Sequence, residues 1–547
     1  MNQIITFTSR YKYIFAALGG CFYALGFPNS SDFSFPLGTY LGLLCLFVNF
    51  KELSAPSLKQ EILLFLAFSV SANFFGYAWI AETIKVFGDI PFPLNYALSA
   101  VFSLIIFPQI WMYFIIKKIA LNIPSSKLPK FKIGTHSRLI LLSISYTLIE
   151  VYTPQQFPTH AGHPWLVAAP YIGLTKIFGV PGFSFITFWL VFSTISYLKH
   201  RSSVVFPLVV SAVFIGGNII SPLTYQVDKN KKPINVRAVQ ANIGNIVKLQ
   251  SEKGHYKAIN MVLRNYFKYS TVPSEKELDL IIWPETAYPV DIDTKDMKEN
   301  DQLVPGIFMD IIDKTGAQIL FGGYDQPQKV NPLGLGSLAS RSELYFENTY
   351  NSTILLDQNK KFVDSYNKWK LIPFGETLPF PLIIRKILAK VIRNISYFSA
   401  GDKYTLFKTK NDFSFVTLIC YEILFPDFLR DYLSNTEKKP DFIINVTNDS
   451  WYGKTSEPYQ HLFLSKWRAV EFNLPVIRST NTGITSIFWP DGSESKRLEY
   501  GLEDVLDFTI FKAQNERTVY EKFGVFSTVL MALLLFGFGF VVPKRFR

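Results

Sequence analysis

Val416-Thr417-Leu418-Ile419-Cys420-Tyr421-Glu422 reads as a buried strand that stops at a thiol and an acid. A short, nearly continuous apolar run of this kind is the pattern of a strand covered on both faces. Six more runs share that character: Asn235–Ile243, Leu278–Trp283, Ala317–Gly322, Asn351–Leu356, Phe442–Val446 and Pro475–Arg478. Helical spacing fits the stretches around 253–268, 301–314 and 458–473. Residues 233–510 are therefore expected to form an α/β domain, with a sheet covered by helices.

Outside that domain the chain changes character. Its 547 residues are 49% hydrophobic with 51 Phe, and the excess lies at the two ends. A bilayer core of about 30 Å asks for roughly 20 apolar residues per helix. Spans are expected near 12–28, 36–50, 61–80, 94–116, 138–152, 178–197, 204–221 and 523–542, about eight in all. The domains are then a membrane domain over 1–222, the α/β domain over 233–510 and a closing helix over 523–542.

Basic residues alternate between the loops. One side holds Arg10 and Lys12, then Lys51 and Lys59, a cluster from Lys117 to Arg138, Lys199 and Arg201, and finally Lys544, Arg545 and Arg547. Loops on the other side carry only Lys85 and Lys176. By the positive-inside rule both termini are cytoplasmic and residues 223–522 lie outside. This distribution also accounts for the net charge of +12, and no nucleic-acid-binding motif accompanies it.

Three cysteines, at 21, 45 and 420, have neither disulfide nor metal-ligand spacing. Cys21 and Cys45 sit inside apolar segments as small hydrophobes. His160 and His163 have the spacing of a metal pair but no further ligand nearby in the sequence, so loop histidines are expected and no metal.

Cys420 differs from the other two. A strand-ending Glu285 follows Ile282-Trp283-Pro284, and Lys368 stands in Tyr366-Asn367-Lys368-Trp369. A thiol of pKa near 8.5 needs a base or a nearby cation to react at neutral pH. Glu285 suits the base, and Lys368 suits the charge facing an oxyanion.

With these motifs the chain resembles the apolipoprotein N-acyltransferases, membrane-embedded members of the nitrilase superfamily. The resemblance rests on Val239-Gln240-Ala241-Asn242, Trp283-Pro284-Glu285-Thr286, Lys368 with Pro373-Phe374-Gly375-Glu376, Cys420-Tyr421-Glu422, Asn448-Asp449-Ser450-Trp451-Tyr452-Gly453 and Arg478-Ser479-Thr480-Asn481. It departs from the family at Ala241, where glycine is usual, and near Leu249, where a tryptophan often stands.

The resemblance implies a four-layer α-β-β-α sandwich and a Glu285/Lys368/Cys420 triad. It implies orienting and proton-management roles for Glu376, Tyr421 and Glu422, and supporting or substrate-binding roles for Asn448, Trp451, Arg478 and Asn481. The implied reaction moves a fatty acyl chain from a phospholipid, through a Cys420 thioester, to the α-amino group of S-diacylglyceryl-cysteine in an apolipoprotein. It needs no cofactor and belongs in the bacterial inner membrane. A membrane-tethered amide hydrolase using the same triad is the alternative. Proline-led basic residues 378–399 are expected to form a lid at the membrane surface, and 327–342 a loop of unassigned role.

Overall fold

The computed structural model describes residues 8, 10–48, 58–86, 88–122, 135–168, 174–220, 227–228, 230–326, 349–377, 398–513 and 516–541. The 327–342 loop and nearly all of 378–399 lie outside the described residues.

The N-terminal part is helical: α1 Lys12–Leu25, α2 Gly38–Phe47, α3 Leu58–Gly76, α4 Trp79–Val86, α5 Leu94–Ile106, α6 Pro108–Asn122, α7 Thr135–Tyr152, α8 Thr175–His200 and α9 Val205–Ile220. Each span expected from the sequence falls on helix, the fourth on α5 and α6 together. Length and composition alone carry less than eight. Among the described residues, α3 and α8 are long and apolar enough to cross a bilayer, and α5 with the start of α6 forms a third candidate bent by 49°. The bend has a local cause: Phe107 precedes Pro108, which disfavours α conformation in the residue before it, and Phe107 sits at φ −119°, ψ 54°. Helices α1 and α2 meet at glycines. A Cβ on Gly42 would lie 2.6 Å from the Gly19 carbonyl oxygen, and one on Gly19 2.8 Å from that of Gly42. Small residues at the crossing let the two backbones touch.

The α/β domain holds two sheets. Strands β1 Ile234–Gln240, β2 Leu280–Ile282, β3 Gln318–Asp325, β4 Tyr350–Leu356 and β5 Phe362–Asn367 belong to the first. The second contains β6 Phe407–Lys408, β7 Ser414–Ile419, β8 Phe442–Thr447, β9 Val476–Thr480 and β10 Ser486–Phe488, while β11 Asp504–Ile510 returns to the first. The orders are β11-β1-β2-β3-β4-β5 and β10-β9-β8-β7-β6. In each sheet the central three strands run parallel, β1-β2-β3 and β7-β8-β9.

Inner faces meet through side chains: Thr353 on β4 and Thr417 on β7 are 2.8 Å apart, and Thr480 on β9 donates to Gln240 on β1 at 3.0 Å. Helices α10 Asn245–Glu252, α11 Tyr256–Ser270 and α12 Gly306–Thr315 follow strands of the first sheet, and α13 Pro426–Ser434 and α14 Glu457–Phe472 those of the second. Val262, Tyr266, Phe308 and Ile311 from α11 and α12 bury against Val239, Ile281, Trp283 and Ile319. The expected α-β-β-α sandwich is present.

All seven expected strands appear, but β5, β6, β10 and β11 were not legible. In β11, Asp504 and Asp507 interrupt the apolar pattern; the strand pairs antiparallel with β1, exposes those two acids and buries Leu506 and Ile510. The helix expected over 301–314 starts only at Gly306, because Val304 precedes Pro305 and stays extended at ψ 125°.

Helix α14 docks the domain on the membrane part. Gln460 donates to the carbonyls of Gly76 (2.8 Å) and Pro28 (3.1 Å) and accepts from the Trp79 indole at 3.1 Å. Trp467 donates to the His163 carbonyl at 3.2 Å, and Glu471 accepts the Val180 N–H at 3.0 Å. The chain closes with α15 Val519–Phe523 and the apolar α16 Phe526–Val541.

Candidate active site

Strand β7 ends at Ile419, and the chain turns into a 3-10 segment, Cys420–Leu424. Cys420 opens that turn at φ +51°, a left-handed conformation that costs a residue with a Cβ roughly 1–2 kcal/mol. Its thiol is buried. Burial, then the Glu285 carboxylate, push the thiol pKa up; Lys368 and a hydrogen bond with Thr447 pull it back without cancelling the rise. The resting group is therefore a thiol, and attack requires a base.

Glu285 follows β2 across Trp283-Pro284. Trp283 fixes this exit: its N–H donates to the Leu320 carbonyl at 2.8 Å, its indole donates to Ser270 at 2.8 Å, and it stacks on Tyr266. Glu285 Oε1 accepts from Asn351 Nδ2 at 2.8 Å and from Lys368 Nζ at 3.2 Å. Its Oε2 accepts the Asn448 backbone N–H at 2.9 Å.

Lys368 lies just past β5, entirely buried. Its ammonium reaches Glu376 Oε1 at 2.8 Å as well as Glu285. Burial works against the charge, but Glu376, Glu285 and the thiol outweigh it, so the pKa stands above the ordinary lysine value. Glu376 accepts from Asn351 at 3.1 Å and from the Ile372 N–H at 2.9 Å. The sequence-predicted triad and Glu376 thus converge, and Asn351 joins them. Asn351 was missed, since a single amide opening an apolar strand carries no recognisable pattern.

Glu422 is fully buried and braces the centre from below. Its Oε1 accepts from Tyr366 Oη (2.9 Å), Trp369 N (2.7 Å) and Lys370 N (3.1 Å), while Oε2 accepts from Ile419 N at 2.8 Å. It ties the segment after Lys368 to the strand before Cys420. Tyr421 points elsewhere, its hydroxyl donating to the Gln156 carbonyl in the loop after α7.

Asn481 accepts the Ile243 N–H (2.9 Å) and donates to Asn448 Oδ1 (3.0 Å), bracing the loop that binds Glu285. Trp451 is half-buried in the turn that follows. Arg478 is buried and bonded to Asp449 Oδ2 (2.7 Å) and Asn445 Oδ1 (2.8 Å), in an ion pair beneath the loop.

A narrow cleft opens beside Glu285, lined by Lys248, Thr286, Tyr266 and Asn481 among others. Lys248, also missed from sequence, donates to Thr286 Oγ1 and lies 3.9 Å from Glu252. Burial lowers its pKa. Among the described residues, one group has metal-like spacing: Asp449, Glu457 and His461, with ligand atoms within 4.8 Å of one another. The Arg478 guanidinium on Asp449 already supplies positive charge there, which makes the group an internal ion cluster. His160 and His163 are buried and stacked, with the His160 N–H donating to His163 Nδ1 at 2.9 Å.

An ammonium held between two carboxylates beside a thiol can pass a proton, stabilise an oxyanion and support an acyl-cysteine. Comparison with known proteins gives the family. Residues 235–512 match the carbon-nitrogen hydrolase family, and residues 19–216 match the apolipoprotein N-acyltransferase N-terminal domain. Relatives named apolipoprotein N-acyltransferase include one from Bdellovibrio bacteriovorus, 29% identical over 84% of this chain and 82% of its own. Those from Pasteurella multocida and Haemophilus influenzae are each 27% identical over 98% of this chain and 96% of theirs. With the hydrolase match spanning half of its length, the chain belongs to the carbon-nitrogen hydrolase family, as a member fronted by the N-terminal domain of apolipoprotein N-acyltransferases.

Proposed function

We propose that this chain is the acyltransferase of lipoprotein maturation: it moves a fatty acyl chain from a phospholipid to the α-amino group of S-diacylglyceryl-cysteine at an apolipoprotein N-terminus. The observation that carries the reading is the buried Lys368 ammonium, 3.2 Å from Glu285 and 2.8 Å from Glu376 beside Cys420, in a chain fronted by apolar helices.

In the first half, Glu285 takes the thiol proton and the thiolate attacks the phospholipid ester carbonyl. Lys368 faces the oxyanion. The C–O bond breaks, Glu285 returns the proton to the leaving glycerol oxygen, and a lysophospholipid departs. In the second half, the acceptor amine gives a proton to Glu285 and attacks the thioester, and Cys420 leaves as thiolate and is reprotonated. This is ping-pong chemistry. Glu376 and Asn351 hold Lys368 and Glu285 in register, Glu422 braces the elbow, and Tyr421 ties it to the membrane part. Asn448 and Asn481 fix the loop on Glu285, Trp451 shapes the loop rim, and Arg478 supports Asp449 beneath it.

The membrane setting supplies the substrates. Residues 1–222 form the membrane domain, 233–510 the catalytic domain and 523–542 the last span, about eight spans in all. The charge alternation of the loops puts both termini in the cytoplasm and the catalytic domain on the outer face of the bacterial inner membrane. Mass spectrometry after incubation with phospholipid tests the reading. The expected result is an acyl adduct on Cys420 that a diacylated lipopeptide discharges. Discharge by water alone would instead favour a membrane-tethered amide hydrolase.

A further inference from the structure

The Cys420 carbonyl oxygen has two side-chain partners, Asn445 Nδ2 at 3.3 Å and His461 Nε2 at 3.3 Å. A carbonyl oxygen only accepts, so His461 Nε2 must carry a hydrogen. The other ring nitrogen, Nδ1, lies 3.6 Å from Asp449 Oδ1 and 3.5 Å from Glu457 Oε1. Three acceptor oxygens thus face two ring nitrogens, in a site where ring and carboxylates are all buried. With both carboxylates ionised, only the imidazolium has a hydrogen for both directions.

The titratable and charged groups acting on the ring are Asp449 on the turn after β8, Glu457 on its own helix and Arg478 on β9, while Cys420, on the turn after β7, meets it through its carbonyl. Arg478 pairs with the far oxygen of Asp449 at 2.7 Å, and Thr447 donates to the near one at 3.2 Å.

We propose that His461 is a positioning residue for the thioester chemistry: its imidazolium, held by Asp449 and Glu457, donates Nε2–H to the Cys420 carbonyl and keeps the left-handed elbow that presents the thiol. The step it serves rests on the acyl-cysteine reading above. His461 touches no substrate and acts through the backbone of the nucleophile.

Losing one proton from this cluster has a definite consequence. A neutral imidazole has one N–H for three acceptors, and two carboxylates outcompete one carbonyl for it. The hydrogen moves to Nδ1, the Nε2 lone pair then faces the Cys420 carbonyl, and the elbow loses a tie. Burial and Arg478 disfavour the charged ring, yet the adjacent Asp449 and Glu457 carboxylates outweigh them, so its pKa lies above the ordinary histidine value. The elbow is therefore held at pH values where an ordinary histidine is already neutral, and it is released as pH rises past the raised pKa.

The test is the single-turnover rate of Cys420 acylation by p-nitrophenyl butyrate, followed by nitrophenolate release across pH in the full-length protein in detergent micelles. A small activated ester loads a nitrilase-type cysteine whether the enzyme is a transferase or a hydrolase. A wild type that reacts with it but takes no acyl chain from phospholipid would sink the transferase reading and leave this one standing.

Wild type should lose rate on the alkaline side. His461→Gln, whose amide donates without titrating, should keep the rate within about tenfold and lose that alkaline fall; His461→Leu should drop about 100-fold, the scale of a misplaced reacting group. A folded His461→Leu with the wild-type rate and pH profile, or a His461→Gln that keeps the alkaline fall, would overturn the proposal. If neither variant folds, Glu457→Gln decides. Removing one carboxylate should move the alkaline fall to lower pH, and an unmoved fall would overturn it.

Discussion

Asn351 donates its side-chain amide to Glu285 at 2.8 Å, and the same nitrogen lies 3.1 Å from Glu376. One neutral donor therefore spans the two carboxylates that share the Lys368 ammonium. Without it, Glu285 keeps only Lys368 and the Asn448 N–H as partners. Asn351→Ala should slow Cys420 acylation about 100-fold, and Asn351→Asp should slow it further by adding a third carboxylate around one ammonium. Single-turnover formation of the acyl-enzyme measures both. An alanine variant as fast as wild type would remove Asn351 from the site.

Gly322 and Gly323 are neighbours on β3 with opposite expected tolerance. A Cβ on Gly322 would stand 2.7 Å from Thr286 N and 2.8 Å from Glu285 Cα, so it would push the turn that carries the base. A Cβ on Gly323 would meet nothing nearer than 3.7 Å. Gly322→Ala should therefore lower acylation about 100-fold, and Gly323→Ala by no more than about threefold. Equal effects would show that the close approach behind Glu285 is unimportant.

Glu422 gives a pH-dependent contribution to stability. Burial pushes its carboxyl up to about 7, against the opposing pull of Lys368 and of hydrogen bonds from Ile419, Lys370 and Trp369. The folded state thus binds this proton more tightly than the unfolded chain. Its stabilisation is complete below about pH 4.5 and is lost as pH rises through about 7. Glu422→Gln cannot titrate, so the fall in unfolding temperature across that window should shrink. Glu457, also pushed up to about 7, keeps part of the slope. An unchanged slope in the variant would contradict the assignment.

Gln460 holds the two parts of the molecule together. Gln460→Leu would leave the buried carbonyls of Gly76 and Pro28 and the Trp79 indole without this partner. Unsatisfied buried groups cost roughly 1–3 kcal/mol each. Thermal unfolding in detergent should show a clearly lowered midpoint, and a midpoint equal to wild type would mean that water replaces the amide.

Much of the site was legible because short motifs mark strand ends. Trp283-Pro284-Glu285 and Ile419-Cys420 each join an apolar run, which fixes the element, to one reactive group at its exit. Apolar runs likewise placed helices where spans were expected, since burial in lipid or core needs the same residues. Edge strands such as β11 escaped because exposed acids, Asp504 and Asp507, break the apolar run.

Element type and the chemistry at strand ends were determined by the sequence itself, since both depend on neighbours along the chain. Choosing partners for buried polar groups belonged to the tertiary structure. Asn351 meets Glu285 across 66 positions, and the Asn448 N–H meets it across 163. The same packing set Arg478 in an ion pair with Asp449 and His461 against the Cys420 carbonyl. A buried donor takes whichever acceptor the fold brings within about 3 Å, and local sequence does not record that distance.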